Sequence, residues 1–358
     1  MTFEEARAQF PVFERFAYLN AGSFGPLATS VADAIAAEQR RALAEGRANP
    51  ELFDQFLELR AEVRDGFAAV LRVEAEQVAL TSSTTDACNV VLNGLGLQEG
   101  DEVVTTDVEH FGLIGPLAVS EAMVRVARVR DRPAAEALDA ILEEVTPRTR
   151  LVALSHVNWV NGHVLPWSEV KAATRRPVLV DGAQSAGAIP IDASGADYYT
   201  VSGQKWLCGP DLTGALYVGD PDSLRISLPS YLSQETYDLL AGTFEPRTGA
   251  TRFDTHFTPF ATKRGLLAAF ALHPEWGPDR AAATAARCRE LLAERFDVVT
   301  EPDHATLVTF RYDDAAEAVK RLFARGVIVR DIPGSDLLRV SCGWWTSEED
   351  VARLLEAL

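Results

Sequence analysis

Lysine is scarce in this chain. Only Lys171, Lys205, Lys263 and Lys320 occur among 34 basic residues, so each of them invites a reason. Positive charge as a whole is outnumbered: 52 acidic residues leave a formal net charge of −18. An acidic surface of that size repels phosphate backbones and anionic lipid, so neither nucleic acid nor a membrane is expected as a partner. Cysteine is sparse too. Cys88, Cys208, Cys288 and Cys342 are scattered and form no C-x-x-C pair, which argues against a zinc site or a disulfide framework. The six histidines lack HExxH spacing, and no metal is expected. No apolar run reaches the length of a membrane span. The opening MTFEEARAQF is acidic and lacks the apolar stretch of a signal peptide, so the expected location is cytoplasmic. A GxxxxGK loop and a GxGxxG fingerprint after a strand are both missing.

What is present is an ordinary globular composition, 47% hydrophobic and 24% charged, which excludes a disordered chain. At 358 residues the length suggests two domains, or one large domain with an appendage. Short apolar runs alternate with helical patterns from about residue 75 to 220. The candidate strands are QVALT (77–81), DEVVTT (101–106), RLVALSHV (150–157), PVLVD (177–181), YYTVS (198–202) and GALYVG (214–219). Most are continuously apolar, as expected for strands buried on both faces. Strand–helix alternation predicts an α/β fold with a mostly parallel sheet. Residues 28–72 read as helical with a break near Asn49-Pro50, 220–265 as loops and a long connection, and 266–295 as a helix broken near Pro274–Pro278. Residues 296–358 read β-α-β-β-α, a small second unit with strands in FDVVT, HATLVTFRY, VIVRDI and LLRVSC. Lys171 and Lys320 fall on amphipathic helix surfaces and Lys263 at a helix start, so all three read as solvated charges.

In a parallel α/β sheet, ligands bind at the carboxyl ends of the strands. QVALT is followed by Ser83, Thr84 and Thr85 at a helix start, where hydroxyls either cap the helix or hold a phosphate. DEVVTT leads to His110. PVLVD ends on Asp181, a carboxylate that is costly to bury without a partner. YYTVS leads to Ser202, Gly203, Gln204 and Lys205, with no acid adjacent to the lysine. A lysine, an acid and a phosphate cup at one sheet edge meet the needs of pyridoxal 5'-phosphate. That cofactor takes a lysine Schiff base and an acidic partner at its pyridine nitrogen. Poorly compensated charge would lower the lysine pKa, which suits it as nucleophile and base.

The motifs VLVDGAQSAGAIPID and YYTVSGQKWLCGPDLTGALYV resemble the class V aminotransferase family, the cysteine desulfurase-like branch of fold-type I pyridoxal-phosphate enzymes. TSSTTDACN, EH and LLRVSCGWWTSEED support the match, which runs from YLNAGSFGPL to the C-terminus. The resemblance implies a large cofactor-binding domain with a mostly parallel, seven-stranded-type sheet over 21–265. A small C-terminal α+β domain would span 266–358, with an N-terminal segment, 1–20, packed on it. It implies that Lys205 carries the cofactor and that Asp181 pairs with the ring nitrogen. Gln184 would touch the ring hydroxyl and His110 would stack on the ring. Thr84, Thr85, Ser202 and Gln204 would hold the phosphate, and Arg339, with Asn20, would hold the substrate.

Two features depart from a desulfurase. VIVRDIPGSDLLRVS is short and carries no cysteine before Arg339, and Cys342 falls within a strand and reads as a core residue. The position over the cofactor, often asparagine, is Trp159 here, with Asn158 and Asn161 nearby. LSHVNWVNGHVLP and SGQKWLCGP look most like the cysteine/cystine C–S lyase subgroup, and isopenicillin N epimerase-like proteins share part of the pattern. The function implied is β-elimination on cysteine, cystine or a related sulfur amino acid, giving pyruvate, ammonia and a thiol or persulfide. The alternatives are a desulfurase recruiting Cys342 or Cys88, or an aminotransferase or epimerase. Relatives of this kind are usually homodimers, and RTGATRFDTHFTP, with Arg252, Thr255 and Thr258, is the candidate segment reaching across.

Overall fold

Most strands of the central region are short and buried along their whole length, so they need cover on both faces. The computed structural model describes residues 1–48 and 50–358, leaving Asn49, at the expected helix break, outside the described residues. In chain order, α1 (Phe3–Arg7) precedes β1 (Ala17–Tyr18), α2 (Thr29–Glu45), α3 (Leu52–Leu71), β2 (Val78–Thr81) and α4 (Thr84–Leu95). Then come β3 (Glu102–Thr106), α5 (Phe111–Ala118), β4 (Met123–Ala127), α6 (Ala137–Glu143), β5 (Thr149–Ser155), α7 (Trp167–Thr174), β6 (Val178–Asp181), β7 (Tyr198–Ser202) and β8 (Gly214–Val218). The sheet order is β2-β8-β7-β6-β5-β3-β4. Only β8 runs antiparallel to its neighbours, so the carboxyl ends of β2, β3, β5, β6 and β7 share one edge.

Alternate residues of each strand feed two cores. Val152, Leu154 and Val180 pack with Phe67 of α3 and Val170 of α7. Leu151, Ala153 and Leu179 pack with Val90 and Val91 of α4 and Leu113 of α5. β4 is a strand that the sequence reading lacked; it is an edge strand, exposed at Met123, and its MVRVA pattern is too polar to read as buried.

The segment expected to be loops instead holds a hairpin, β9 (Gln234–Asp238) and β10 (Thr243–Pro246). Its strands are mostly exposed, which explains the missing apolar signal. The expected break near Pro274 separates α8 (Phe260–Leu272) from α9 (Gly277–Ala293). α8 crosses residue 265 and packs on α2 and α3. Beyond it lie β11 (Leu307–Arg311), α10 (Ala315–Ala324), β12 (Val327–Ile328), β13 (Arg330–Asp331), β14 (Leu337–Ser341) and α11 (Glu348–Ala357). FDVVT forms no strand beyond an isolated bridge at Val298. VIVRDI divides: β12 pairs with β1, whereas β13 joins the antiparallel sheet β11-β14-β13. The N-terminus is fastened there too, since Arg7 donates to both oxygens of Asp350 at 2.8 and 3.1 Å.

One buried carboxylate ties these parts together. Asp254 accepts from Arg60 at 2.6 Å, from Arg64 at 2.8 and 3.2 Å, and from the Leu80 amide at 2.7 Å. Desolvation opposes its charge, but the two guanidinium groups prevail and hold its pKa below the ordinary value. Lys263 corrects an expectation. It is fully buried on α8, donating to the Thr258 carbonyl with its ammonium 3.9 Å from the Phe56 ring centroid. Burial pulls its pKa down to about 7. Lys171, half-buried, pairs with Asp197 at 2.5 Å, while Lys320 is the solvated charge expected.

Candidate active site

Lys205 stands in a tight turn after β7. The turn is closed by Gly203 N–H to the Thr213 carbonyl at 2.8 Å and Gly209 N–H to the Gly203 carbonyl at 2.9 Å. Trp206 anchors it: the ring is wholly buried and donates to Gln184 Oε1 at 3.0 Å. Anchoring the neighbour leaves Lys205 half-buried, without a hydrogen-bond partner among the described residues. Burial brings its pKa down to about 8; Asp181 opposes the shift, and Arg339 and Arg330 add to it. A lysine with that value is partly neutral near physiological pH and can act as nucleophile and proton carrier.

Asp181 ends β6, buried, with Oδ1 accepting from the Ala183 amide at 2.8 Å. No cation pairs with it among the described residues, so its second oxygen is available to an N–H donor. Register places Ser155 of β5 on one side and Thr200 of β7 on the other. The Ser155 amide and hydroxyl donate to Glu109 Oε2 at 3.0 and 2.5 Å, and Thr106 donates to Oε1 at 2.6 Å. Burial outweighs these bonds and raises the Glu109 pKa to about 7, with Asp181 adding to the rise. In the same region the Tyr199 hydroxyl lies 2.6 Å from both His156 Nδ1 and Ser185 Oγ. Burial holds His156 down to about 4, hence neutral.

At the other end, α4 begins beside β2. Ser83 caps it by accepting from the Asp86 amide at 3.1 Å, leaving Thr84, buried, and Thr85 in its first turn. First-turn amides have no helical partner and attract anions. Ser202 is buried at the end of β7, and Gln204 keeps a buried Oε1 without a partner. Thr255 joins this corner by donating to Asp86 Oδ2 at 2.6 Å. Arg252 instead pairs with exposed Asp222 at 3.0 Å, and Thr258 is engaged through its carbonyl by Lys263.

Arg339 of β14 is fully buried, yet no acid pairs with it among the described residues. Nη1 donates to the Trp159 carbonyl at 2.9 Å, while Nε and Nη2 are buried without partners. Burial lowers its pKa to about 9. An orphaned, buried guanidinium is costly unless an anion completes it. Gly22 makes room for it, because a Cβ there would lie 2.7 Å from Nη2. Gln184 donates to the Gly22 carbonyl at 2.9 Å, so its amide bridges this segment to Trp206 and keeps one Nε2 hydrogen free. Asn20 accepts from Ser23 Oγ at 2.9 Å. His110 caps α5, accepting from the Gly112 amide at 3.1 Å, and its ring meets Trp159 edge-on at 5.2 Å. Lys205, Asp181, Arg330 and Arg339 all perturb His110, whose pKa is lowered chiefly by burial.

Four unsatisfied features thus coincide: an unbonded lysine, an unpaired buried acid, an anion-binding helix start and an orphaned arginine. A phosphorylated heterocycle with a lysine-reactive carbonyl and an amino-acid carboxylate would complete them, so the residues present fit pyridoxal phosphate. The aminotransferase class-V family model matches residues 17–354. The chain belongs to the class V aminotransferase family.

Among curated proteins, isopenicillin N epimerase of Streptomyces clavuligerus is 29% identical over 99% of this chain and 97% of its own length. A probable cysteine desulfurase of Mycolicibacterium paratuberculosis is 36% identical over 51% of this chain and 28% of its own length. Two structures of C-DES resemble the fold throughout at 30% identity. One, a mutant with glycine covalently linked to the cofactor, has a TM-score of 0.89 and covers 98% of each chain. The other, a complex of this cystine C–S lyase with its product cysteine persulfide, has a TM-score of 0.87 and covers 97% of this chain and 98% of its own. This class V member is accordingly a fold-type I, pyridoxal-phosphate-dependent enzyme with a mostly parallel α/β sheet. No helix among the described residues is long and apolar enough to cross a membrane. No cluster of potential metal ligands occurs among them either.

The sequence reading missed Glu109, Ser155, Tyr199, Arg330 and Gly22. Ser155 ends β5 and could have been found by taking every strand end in turn. Gly22 and Arg330 act through contacts between distant segments, which no local pattern reveals.

Proposed function

We propose that the enzyme is a C–S lyase, cleaving a sulfur amino acid by β-elimination to pyruvate, ammonia and a thiol or persulfide. The observation carrying this reading is the state of the cysteines. All four are buried, and Cys88, Cys208 and Cys342 have thiol pKa values pushed well up, with burial a cause in each. Handing sulfur to a partner protein needs a reachable thiolate, whereas elimination needs none.

Pyridoxal phosphate, when bound, supplies an electron sink for negative charge at the substrate Cα. Lys205 would carry it. Asp181 would accept the ring N–H, and Gln184 would offer its remaining Nε2 hydrogen to the ring hydroxyl. His110 would flank the ring. Thr84, Thr85, Ser202 and Gln204 would hold the phosphate. Arg339, with Asn20 beside it, would fix the substrate carboxylate through Nε and Nη2 and so orient the Cα–H bond toward Lys205 Nζ. That amine takes the proton. The Cα–H electron pair forms the Cα–Cβ double bond, and the C–S pair leaves with sulfur. The released enamine hydrolyses to pyruvate and ammonia. An amino acid is the small-molecule partner. The enzyme would act as a cytoplasmic homodimer, with RTGATRFDTHFTP at the interface.

The full-length match to isopenicillin N epimerase supports a second reading, removal and return of the Cα proton without bond cleavage. Cys342→Ser and Cys88→Ser separate the lyase from a desulfurase. Each should keep most of the pyruvate-releasing activity on L-cystine; loss of activity in either returns the reaction to a cysteine nucleophile. Solvent deuterium entering Cα without pyruvate release would establish the epimerase.

A further inference from the structure

The turn that carries Trp159 lies between β5 and α7 in the chain, yet the C-terminal region holds it. Residues 157–164 close on themselves: Val157 bridges Val164, the Asn158 amide donates to the His163 carbonyl at 2.8 Å, and the Gly162 amide donates to the Asn158 carbonyl at 2.9 Å. Four consecutive carbonyls of this turn each meet a donor from residue 300 onward. Arg339 Nη1 donates to the Trp159 oxygen at 2.9 Å and Thr309 Oγ1 to the Val160 oxygen at 2.6 Å. Thr300 Oγ1 donates to the Asn161 oxygen at 2.7 Å and the Ala305 amide to the Gly162 oxygen at 2.9 Å. Thr309 and Arg339 are directly paired on β11 and β14, with Arg330 of β13 on the far side of Arg339. Directly paired residues of antiparallel strands put their side chains on one face. The hydroxyl and the guanidinium thus reach out together and engage adjacent carbonyls, and both side chains are fully buried. Thr309 is itself pinned, since its amide donates to Thr300 Oγ1 at 2.8 Å.

We propose that Thr309 is a positioning residue for the substrate α-carboxylate, acting through the Val160 and Trp159 carbonyls on Arg339. The proposal rests on the reading that Arg339 grips that carboxylate. Among the described residues Nη1 alone ties the guanidinium to the protein, and Nε and Nη2 are left for a ligand. A guanidinium is planar, so the direction of the Nη1 bond governs where Nε and Nη2 point. That direction follows the Trp159 carbonyl, and the next peptide along is held by the Thr309 hydroxyl. Deprived of that hydroxyl, the buried Val160 carbonyl would lack a donor, and the turn would have to move to find one. A two-point grip on a carboxylate is directional, so re-aiming the fork weakens it.

Calorimetric titration of the holoenzyme with L-2-aminobutyrate and its amide tests this. The acid has a methyl group where cysteine has its thiol, so it has no leaving group, and the amide replaces the carboxylate with a neutral group. Wild type should bind the acid about ten- to a hundredfold more tightly, as a charge-assisted contact implies. Thr309→Val keeps the shape and removes the hydroxyl, and it should cut that preference roughly tenfold, as the loss of one of two charge-assisted bonds implies. Thr309→Ser keeps the hydroxyl and should retain most of the preference. A Thr309→Val variant with the wild-type preference overturns the proposal, whether it weakens both ligands equally or neither. A lower urea midpoint without a change in preference would mean that the hydroxyl serves the fold alone. A serine variant as poor as the valine one overturns the proposal too. Should Thr309→Val yield no folded holoenzyme, Thr309→Cys, a weaker donor, carries the same comparison. Arg339→Gln tests the underlying reading separately. If that variant keeps the preference, or wild type shows none, Arg339 does not grip the carboxylate, and the proposal falls with that reading.

Discussion

Gly22→Ala should damage substrate binding without touching Lys205. The added Cβ would lie 2.7 Å from Arg339 Nη2, 3.1 Å from Cζ and 3.0 Å from Gln184 Oε1. Gly22 has no left-handed φ, so alanine brings no backbone strain and the contacts alone decide the outcome. Neither neighbour can yield freely. The guanidinium is fully buried and held by the Trp159 carbonyl, while Gln184 is held at both ends of its amide. The guanidinium must shift by some tenths of an ångström, away from the geometry of a two-point grip. Losing one charge-assisted hydrogen bond is worth about 1.5–3 kcal/mol, roughly ten- to a hundredfold in kcat/KM. An interaction made equally in ground and transition state acts mainly through KM. Steady-state kinetics on L-cystine, with cofactor absorbance as a control for the intact lysine, measures it. A KM within twofold of wild type, at full cofactor content, would refute the reasoning that Arg339 grips the substrate.

Asp254→Ala leaves two buried arginines uncompensated, so it should destabilise the fold by about 3–5 kcal/mol, read as a lower urea midpoint. Glu109→Gln should flatten part of the pH dependence of stability. A carboxyl raised to about 7 binds its proton better in the folded state, so its contribution is full below the ordinary value and fades as pH rises toward 7; urea titrations of the cofactor-free chain from pH 4.5 to 7 read this as the difference between wild type and variant. Lys263→Met should gain about 1–4 kcal/mol at pH 7 by removing a buried charge that has no ion-paired acid among the described residues. With its folded pKa near 7, wild-type stability should climb from there toward the ordinary lysine value, and the variant should lack that climb.

Much of the site was legible because parallel α/β topology puts chemistry at strand ends. Thr84, Asp181, Ser202 and Lys205 each follow or end a run whose continuous apolarity marks it as buried. The direction of six of the seven strands then brings them to one edge. Lys263 misled for a physical reason: its local pattern is that of a helix start, while its burial comes from Phe56, two hundred residues earlier in the chain. The hairpin β9–β10 escaped notice because its residues face solvent and show no apolar alternation. The Arg330–Arg339 pairing depends on register, and a two-residue strand gives no periodicity from which register can be read.

The most direct test of the central claim is to identify the three-carbon product formed by the purified holoenzyme from L-cystine and from L-cysteine. β-Elimination through Lys205 predicts pyruvate in step with ammonia. Alanine would contradict it and require a cysteine nucleophile in a chain whose four thiols are all buried.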